Sequence, residues 1–231
     1  MHHTNEETGM RCLFTPHTNW ITKALENRSE PHFSNAVFEK CKTKFEVDGE
    51  IIICKNYKMQ DLFCKRVAKE TYEQYLEAMQ MRDLRKEQWI YNILDGTAEQ
   101  DAIVYKDDQI LVIPDYKWDG KDKKKMHMLT LPYDRTLRTI RDLNGSHIKL
   151  LEHCKTKTLE VIKELYGFDS DSIKMYIHYA PTTYHLHIHF VLVWNTESNS
   201  SVEYSHELST VIFNLGVKSD YYQSIVMNKR V

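Results

Sequence analysis

The chain of 231 residues is long enough for one large domain or two small ones, and its 42% hydrophobic and 28% charged residues are ordinary for a globular protein. A formal net charge of −2 excludes a global positive field that would draw the protein onto long nucleic acids. The sequence shows neither an apolar run long enough to span a bilayer nor a secretory leader, so we expect no membrane association.

The five cysteines are an odd number and lack the C-x₂-C spacing that is typical of metal sites. They indicate reduced thiols, and therefore a cytoplasmic or nuclear protein. The seven glycines form neither a G-x-G-x-x-G nor a P-loop pattern, so a glycine-rich phosphate loop is not expected.

Residues 1–87 are expected to form a small N-terminal α/β region. Phe45–Cys54 is typical of two strands joined by a turn at Asp48-Gly49. From Asp61 to about Gln88, apolar residues recur at spacings of three to five among charged ones. This pattern predicts an amphipathic helix that links the N-terminal region to the main body.

Residues 88–231 are predicted to form the main domain. The stretch Trp89–Leu94 is apolar and aromatic enough for a strand or a helix end. A hairpin is predicted from Ala102–Tyr105 and Gln109–Ile113, and a further strand from Met126–Leu131, which a proline ends.

The clearest helix of the chain starts after a capping Asn144 or Ser146 and stops at Gly167, which suits a C-terminal cap. The elements predicted after it are a strand, a helix and a short strand, at Ile173–His178, about Val202–Leu215 and Tyr222–Met227. Antiparallel strands with helices packed to one side predict an α+β fold.

A row of three histidines, His185, His187 and His189, alternates with apolar residues in the sequence His-Leu-His-Ile-His-Phe-Val. In a strand, whose side chains alternate between two faces, the imidazoles would share one face and the apolar residues would face a core. Composition alone gives roughly 0.03 expected occurrences of such a row in this chain. The row therefore indicates a functional site.

Three interpretations of this row are open. One histidine could attack a phosphoryl or acyl centre while its neighbours orient it and move protons. The alternating imidazoles could instead ligate Zn²⁺ or another transition metal. In the third interpretation they are half-buried strand histidines whose nitrogens are satisfied by backbone carbonyls.

The spacing of the row resembles the motif of the histidine triad superfamily of nucleotide hydrolases and transferases. Four sequence blocks, in the same order, also resemble the scavenger mRNA-decapping branch of that superfamily. These blocks are Gln88–Asp95, Ile113–Trp118, Leu137–Leu143 and Ile177–Tyr184. The likeness extends from about residue 61 to the C-terminus and is far more specific than the histidine motif alone.

The resemblance implies hydrolysis of the 5′ 7-methylguanosine cap of short capped RNA or of cap dinucleotides, with release of 7-methylguanosine monophosphate. By position, His187 is the nucleophile that forms a covalent nucleotidyl-histidine, and His185 and His189 flank it. His178 matches a further histidine of the family's pocket. The resemblance also implies a homodimer that needs neither a metal nor another cofactor.

The resemblance further implies a set of substrate-binding residues, namely Trp89, Glu99, Asp115, Lys117 and Thr182. A tryptophan face attracts the cationic 7-methylguanine ring through stacking and cation–π energy of about 0.5–2 kcal/mol. A carboxylate such as Glu99 suits the N–H donors of that ring, and charge-assisted hydrogen bonds are strong. The ammonium of Lys117 can neutralise phosphate oxygens.

Two features differ from the family pattern: the N-terminal region is short, and Tyr204 stands near the place of a family arginine. Arg138 and Arg141, in the Leu137–Leu143 block, could contact phosphate but are interpreted as structural partners of Asp142 or Glu152. The alternatives to a decapping enzyme are a broader dinucleoside polyphosphate or phosphoramidate hydrolase and a module that binds the cap without turnover.

Overall fold

The structure is a computed structural model that describes residues 2–5, 10–13, 33–34, 38–45, 47–54, 67–116, 118, 120–195 and 200–230. The chain divides into two compact units, Met1–Lys65 and Arg66–Val231. Among the helices of the described residues, none combines the length and the apolar character needed to cross a membrane.

The first unit consists, in its described residues, of short antiparallel strands. β1 (His2–Asn5) pairs with β2 (Met10–Leu13). A separate sheet has the order β3 (Phe33–Ser34), β4 (Phe38–Phe45) and β5 (Val47–Cys54). β5 confirms the strand character predicted within Phe45–Cys54, whereas β4 lies almost entirely before that stretch.

The predicted turn at Asp48-Gly49 is wrong. β5 is one continuous strand in which Gly49 pairs with Thr43, and the chain reverses where Phe45 pairs with Val47. An Asp-Gly pair favours a tight turn only locally. Here the eight-residue ladder between β4 and β5 fixes a different register, because every additional antiparallel rung adds hydrogen bonds.

The second unit contains eight strands and five α-helices among its described residues. The strands are β6 (Val67–Glu70), β7 (Tyr105–Lys106), β8 (Ile110–Pro114), β9 (His127–Pro132), β10 (Ile173–His178), β11 (Ile188–Leu192), β12 (Ser205–Glu207) and β13 (Met227–Arg230). The helices are α1 (Tyr72–Gln80), α2 (Gln88–Leu94), α3 (Ile148–Tyr166), α4 (Leu208–Val217) and α5 (Tyr221–Ser224). Short 3₁₀ turns occur at Leu84–Glu87, Gln100–Ala102, Lys123–Lys125, Ile140–Asp142, Gly145–His147 and Ser170–Ser172.

Six of these strands form one sheet in the order β12-β10-β11-β9-β8-β7, and each neighbouring pair is antiparallel. β6 and β13 pair separately. The predicted α+β fold with an antiparallel sheet and packed helices is therefore confirmed. The histidine-bearing strand β11 lies inside the sheet, between β10 and β9, so both of its edges are hydrogen-bonded.

Helices cover both faces of the sheet, and the prediction that they pack to one side is wrong. Helices α3 and α4 pack on one face through a core that includes Leu151, Cys154, Ile162, Val211 and Leu215. Helix α2 covers part of the other face with Ile90, Ile93 and Leu94. The physical reason is visible in β8, whose consecutive residues Ile110–Ile113 are all buried. A strand with an unbroken apolar run needs cover on both faces.

The predicted helix from 61 to 88 is shorter than expected. It begins at Tyr72 because Thr71 forms a capping box with Gln74. The residues just before it, Val67–Glu70, are a strand that pairs with Met227–Arg230, a partner that no local pattern reveals. Residues 61–66 lie outside the described part of the chain, and the ambiguous stretch Trp89–Leu94 is helical.

The termini of the later helices are set by identifiable caps. Asn144 caps the 3₁₀ turn that leads into α3, and Gly167 ends α3 at a φ of 81°, as predicted. Helix α4 starts at Leu208 rather than near Val202, because Glu207 accepts hydrogen bonds from the first backbone N–H groups of the helix.

Two other details of the C-terminal part differ from the prediction. Ser205–Glu207, expected within a helix, extends the sheet as β12. The predicted strand over Tyr222–Met227 is a short helix, Tyr221–Ser224, and the strand begins only at Met227. Both shifts bring the chain into pairing with strands that are distant in sequence, which local periodicity does not report.

Residues 66–87 belong to the same compact unit as the sheet, whereas the sequence places a domain boundary between residues 87 and 88. The Tyr75 hydroxyl of α1 donates to the Asp142 carboxylate at 2.7 Å.

Arg138 also pairs with Asp142, as expected from the sequence. The side chain of Arg141 is fully buried, and its guanidinium bonds backbone carbonyls instead of the expected carboxylate.

The Arg141 guanidinium joins three segments of the second unit. It donates to the backbone carbonyls of Tyr222 and Ile225 at 2.7 Å each, and to the carbonyl of Glu70 at the end of β6. Arginine carries five N–H donors in a rigid fork, so one side chain can satisfy several carbonyls.

We expect Arg141→Met to lower the free energy of unfolding by about 3 kcal/mol or more, because it leaves buried carbonyls without donors. Chemical denaturation followed by circular dichroism measures this loss. Arg85→Met is the control, since Arg85 pairs with Asp83 on the surface with its side chain 90% exposed. Equal stability of the two variants would contradict the structural role of Arg141.

Candidate active site

The histidine row enters the sheet instead of lying wholly within it. His185 and His187 belong to an irregular segment, and β11 begins at Ile188, so His189 alone of the three lies in the strand. The prediction that all three line one strand is wrong. The backbone N–H of Leu186 donates to the carbonyl of Leu137 at 2.8 Å, which is a loop contact rather than a rung of the sheet. The alternating apolar side chains are buried as predicted, namely Leu186, Ile188 and Phe190.

His185 is a buried, neutral positioning group. Its side chain is 0% exposed, and its Nε2–H donates to the backbone carbonyl of Pro132 at 2.8 Å. Burial lowers the pKa of His185 to about 4, although the hydrogen bond to Pro132 opposes this shift. Its ring and that of Tyr91 on α2 meet edge to face at a centroid distance of 5.8 Å. This contact joins the histidine segment to the helix that carries Trp89.

His187 is held in one tautomer by a hydrogen bond to the backbone of His185. Its Nδ1 lies 2.8 Å from the carbonyl oxygen of His185. A carbonyl oxygen can only accept a hydrogen bond, so Nδ1 carries the proton. In the neutral ring the lone pair is therefore on Nε2, and the side chain is only partly buried. This arrangement is the one that a histidine nucleophile requires.

His189 lies among other rings on the sheet face opposite α3 and α4, because its neighbours Ile188 and Phe190 point into the core under those helices. Tyr176 of β10 pairs with it across the sheet and stacks on it at 5.0 Å, with 15° between the rings. Its Nδ1 lies 2.8 Å from Nε2 of His127 on β9. The histidine is 4% exposed, so its orientation is fixed by packing on several sides.

The predicted site residue His178 belongs to the same group. It lies at the end of β10, its ring is 4.4 Å from that of His189, and the two rings are tilted by 49°. Tyr204 stacks on its other side at 3.9 Å with 26° between the planes. The structure thus brings His178, His187 and His189 together.

The predicted substrate-binding residues are distributed differently. Asp115 is 2% exposed, and its Oδ2 lies 3.5 Å from His127 and 4.0 Å from His189. Trp89 lies on α2 with 45% of its side chain exposed, which leaves a face available for a ligand. Glu99 and Thr182 are exposed on loops. The structure makes no statement on Lys117, which lies outside the described residues, and the roles of all five stay predictions.

The sequence did not single out Glu87, which ties the helix of Trp89 to the histidine segment. Glu87 is 1% exposed, and its Oε1 accepts hydrogen bonds from Arg82 at 2.6 Å and from the backbone N–H of Tyr184 at 3.0 Å. The Arg82 guanidinium also lies over the Tyr184 ring at 3.7 Å. A glutamate within a charged stretch gives no sequence signal of burial, which explains the omission.

Three histidines could hold one small ligand. His178, His187 and His189 each offer a ring nitrogen, and these atoms all lie within 4.8 Å of one another. Such a group suits a phosphate oxygen or a transition metal ion.

A second group, Asp115, His127 and His189, meets the same distance limit but has a different geometry. Two nitrogens on a tetrahedral zinc ion are about 3.3 Å apart, given Zn–N bonds of about 2.0–2.1 Å. His127 and His189 are closer, at 2.8 Å, which is the distance of a hydrogen bond. A proton therefore lies between them.

An antiparallel sheet whose central strand is entered by a His-x-His-x-His segment, with its imidazoles converging beside the strand, defines a histidine triad protein. The family described as "Scavenger mRNA decapping enzyme C-term binding" matches residues 88–204. The chain belongs to this scavenger mRNA-decapping family.

Individual relatives agree with the family match. The chain is 36% identical over 171 residues to the m7GpppX diphosphatase of Ascaris suum, covering 72% of this chain and 57% of the relative. It is 35% identical to the human m7GpppX diphosphatase, with 72% and 51% covered. The Schizosaccharomyces pombe m7GpppX diphosphatase is 31% identical, with 88% and 71% covered. The matched part of the chain thus spans little more than half the length of the first two relatives.

A more remote match among solved structures is a histidine triad (HIT) family hydrolase from Legionella pneumophila. It is 20% identical and has a TM-score of 0.37, with 43% of this chain and 87% of that chain covered.

The low pKa of His185 predicts a pH-dependent stability. The unfolded chain binds a proton at this histidine near pH 6.5, whereas the folded protein does so only near pH 4. The stabilisation is therefore complete above about pH 6.5 and is lost as the pH falls towards 4, by about 3 kcal/mol in total.

His185→Gln keeps an N–H donor for the Pro132 carbonyl but does not titrate, so its unfolding free energy should fall less between pH 6.5 and 4 than that of the native protein. Urea unfolding at several pH values measures the difference. His153→Gln is the matched control, because His153 bonds Asp107 at 2.6 Å and is partly exposed. Identical pH slopes for the native protein and His185→Gln would contradict the assignment of His185 as a buried neutral group.

Proposed function

We propose that this chain hydrolyses the 5′ 7-methylguanosine cap of short capped RNA or cap dinucleotides and releases 7-methylguanosine monophosphate. The single observation that carries the proposal is the tautomer of His187. Its Nδ1–H bond to the His185 carbonyl leaves the Nε2 lone pair as the nucleophile beside two further histidines. Family membership supplies the substrate class, since the relatives above are named m7GpppX diphosphatases.

In the first step, Nε2 of His187 attacks the phosphorus next to 7-methylguanosine. A P–N bond forms and the bond to the bridging phosphate oxygen breaks, so the leaving group is a diphosphate-ended nucleotide or oligonucleotide. A neighbouring imidazole, His189 or His178, supplies a proton or a hydrogen bond to the developing oxyanion. In the second step water attacks the same phosphorus, the P–N bond breaks, and 7-methylguanosine monophosphate is released.

His185 supports this reaction through its position. Its ring is neutral, because burial lowers its pKa to about 4, and it is fixed by the Pro132 carbonyl. A neutral ring adds no positive charge next to His187 and so does not withdraw the lone pair from the attack. The backbone carbonyl of the same residue orients His187. One residue therefore sets both the direction and the protonation of the nucleophile.

The cap itself is assigned to Trp89 and Glu99. The half-exposed indole of Trp89 offers a face for the cationic base, and Glu99 offers a carboxylate for its N–H donors. Asp115, Lys117 and Thr182 are assigned to the nucleoside and phosphates, as the family resemblance implies. We further infer a homodimer in the cytoplasm or nucleus, which light scattering of the purified protein and microscopy of a tagged chain would test.

We expect His187→Asn to reduce single-turnover release of 7-methylguanosine monophosphate from a 7-methylguanosine triphosphate-linked dinucleotide by at least about 1,000-fold, since the nucleophile is lost. The reaction is run in excess EDTA and resolved by chromatography. The native protein should retain its activity there, because the family resemblance implies no metal ion. Binding of the cap by the native protein without product would support a non-hydrolytic cap-binding module instead.

We expect Trp89→Ala to weaken binding of the methylated cap by about 0.5–2 kcal/mol, the energy of the cation–π contact. The unmethylated dinucleotide should be affected less, because its base is not cationic. Fluorescence titration with both dinucleotides measures the difference, and Trp194→Ala, at another half-exposed tryptophan, is the control. Equal turnover of both dinucleotides by the native protein would favour a broader dinucleoside polyphosphate hydrolase.

A further inference from the structure

His127 is a buried histidine behind the row, and neither the motif nor the family assignment gives it a role. It lies at the start of β9, is 4% exposed, and is 62 positions away from His189 in sequence. Strand pairing brings the two together, because β9 and β11 are neighbours and Val191 pairs with His127. His127 contacts His189 through Nδ1 of the His189 ring.

The 2.8 Å contact between Nε2 of His127 and Nδ1 of His189 requires one nitrogen to donate and the other to accept. The carboxylate of Asp115 distinguishes the two nitrogens. Its Oδ2 lies 3.5 Å from Nε2 of His127 but 4.0 Å from Nδ1 of His189. Negative charge attracts the proton to the nearer nitrogen, since the interaction weakens with distance in a buried site.

We propose that His127 is a positioning residue for the reaction: its Nε2–H donates to Nδ1 of His189 and so fixes His189 in the tautomer that carries a proton on Nε2. This inference rests on the proposed function for its kinetic consequence but not for its structural part. With the proton on Nε2, His189 presents an N–H donor, which a phosphate oxygen can accept. The opposite tautomer would present a lone pair that repels the same oxygen.

The other rings and the carboxylate that the structure describes around His189 do not offer this hydrogen bond. Tyr176 stacks face to face on the ring, so its contact is with the π surface and not with Nδ1. His178 and His187 meet the ring at 49° and 73°, with centroids 4.4 Å and 5.0 Å away. Asp115 lies 4.0 Å from Nδ1, beyond hydrogen-bond range. His127 is therefore the group within hydrogen-bond distance of Nδ1 among these neighbours.

Two substitutions separate the hydrogen bond from the packing. His127→Phe keeps a ring against His189 but removes the donor. His127→Gln keeps a donor, because its amide NH₂ is drawn to the side of Asp115 and can reach Nδ1 of His189. His153→Gln serves as the matched control, since it changes a histidine that bonds a carboxylate elsewhere in the fold.

The first measurement is the ¹⁵N NMR spectrum of the histidine side chains, which reports directly on which ring nitrogen carries the proton. We expect His189 to be protonated on Nε2 in the native protein, in His127→Gln and in His153→Gln. In His127→Phe we expect the signal to move towards the Nδ1-protonated form. A native His189 protonated on Nδ1, or an unchanged signal in His127→Phe, would overturn the proposal.

The second measurement is steady-state turnover of the 7-methylguanosine-capped dinucleotide by the same variants. We expect His127→Phe to lower kcat by about 10- to 100-fold with little change in KM, the size of effect seen when a group that orients a metal-bound histidine is removed. His127→Gln should restore most of kcat. Loss of kcat in both variants to the same degree would overturn the role of the donor, since a purely steric role does not distinguish them.

The two measurements also separate this inference from the proposed function. If the native protein releases no product, the hydrolase proposal fails, while the NMR tautomer of His189 still decides whether His127 positions it. If the native protein releases product but the tautomer of His189 does not change in His127→Phe, the hydrolase proposal stands and the positioning role of His127 fails. Thermal unfolding of each variant confirms that the changes reflect the site and not loss of the fold.

Discussion

The hydrogen bond from Nδ1 of His187 to the carbonyl of His185 is the interaction on which the site depends. It is possible because the chain at His185 has not yet joined the sheet. In an antiparallel ladder backbone carbonyls are occupied by the neighbouring strand. A regular strand through all three histidines would keep their alternation but would engage this carbonyl in the ladder. The irregular segment before β11 therefore orients His187 and is not a defect in the strand.

The rest of the fold supplies rigidity to that short segment. β11 is hydrogen-bonded on both edges, and its apolar residues are locked against α3 and α4. On the opposite face, α2 covers the β8–β9 end of the sheet, and the imidazoles occupy the part near β10 and β11. Glu87 joins the two regions by bonding Arg82 and the backbone of Tyr184. The half-exposed Trp89 and the histidines are thus attached to one framework.

The sequence predicted what is encoded locally. The period-two alternation identified Leu186, Ile188 and Phe190 as core, and the capping residues around α3 located that helix. It failed where a distant partner decides the outcome. Val67–Glu70 is a strand because Met227–Arg230 pairs with it, and the Asp48-Gly49 turn gives way to the register of β4 with β5. The sequence does not identify His127 and Glu87 because the groups that tie them to the site are distant. His189 lies 62 positions from His127, and Tyr184 lies 97 positions from Glu87.

By the family resemblance, Tyr204 stands near the place of an arginine, and a tyrosine there carries no fixed positive charge. The tyrosine stacks on His178, which in turn contacts His189, and Tyr176 stacks on His189. The packing of these four rings holds the imidazoles in place but does not supply the fixed charge of an arginine. The N–H groups of the imidazoles can stabilise a developing phosphate charge in place of an arginine, provided that each ring presents its proton to the substrate. A site built in this way depends on tautomers, which gives the contact between His127 and His189 its importance.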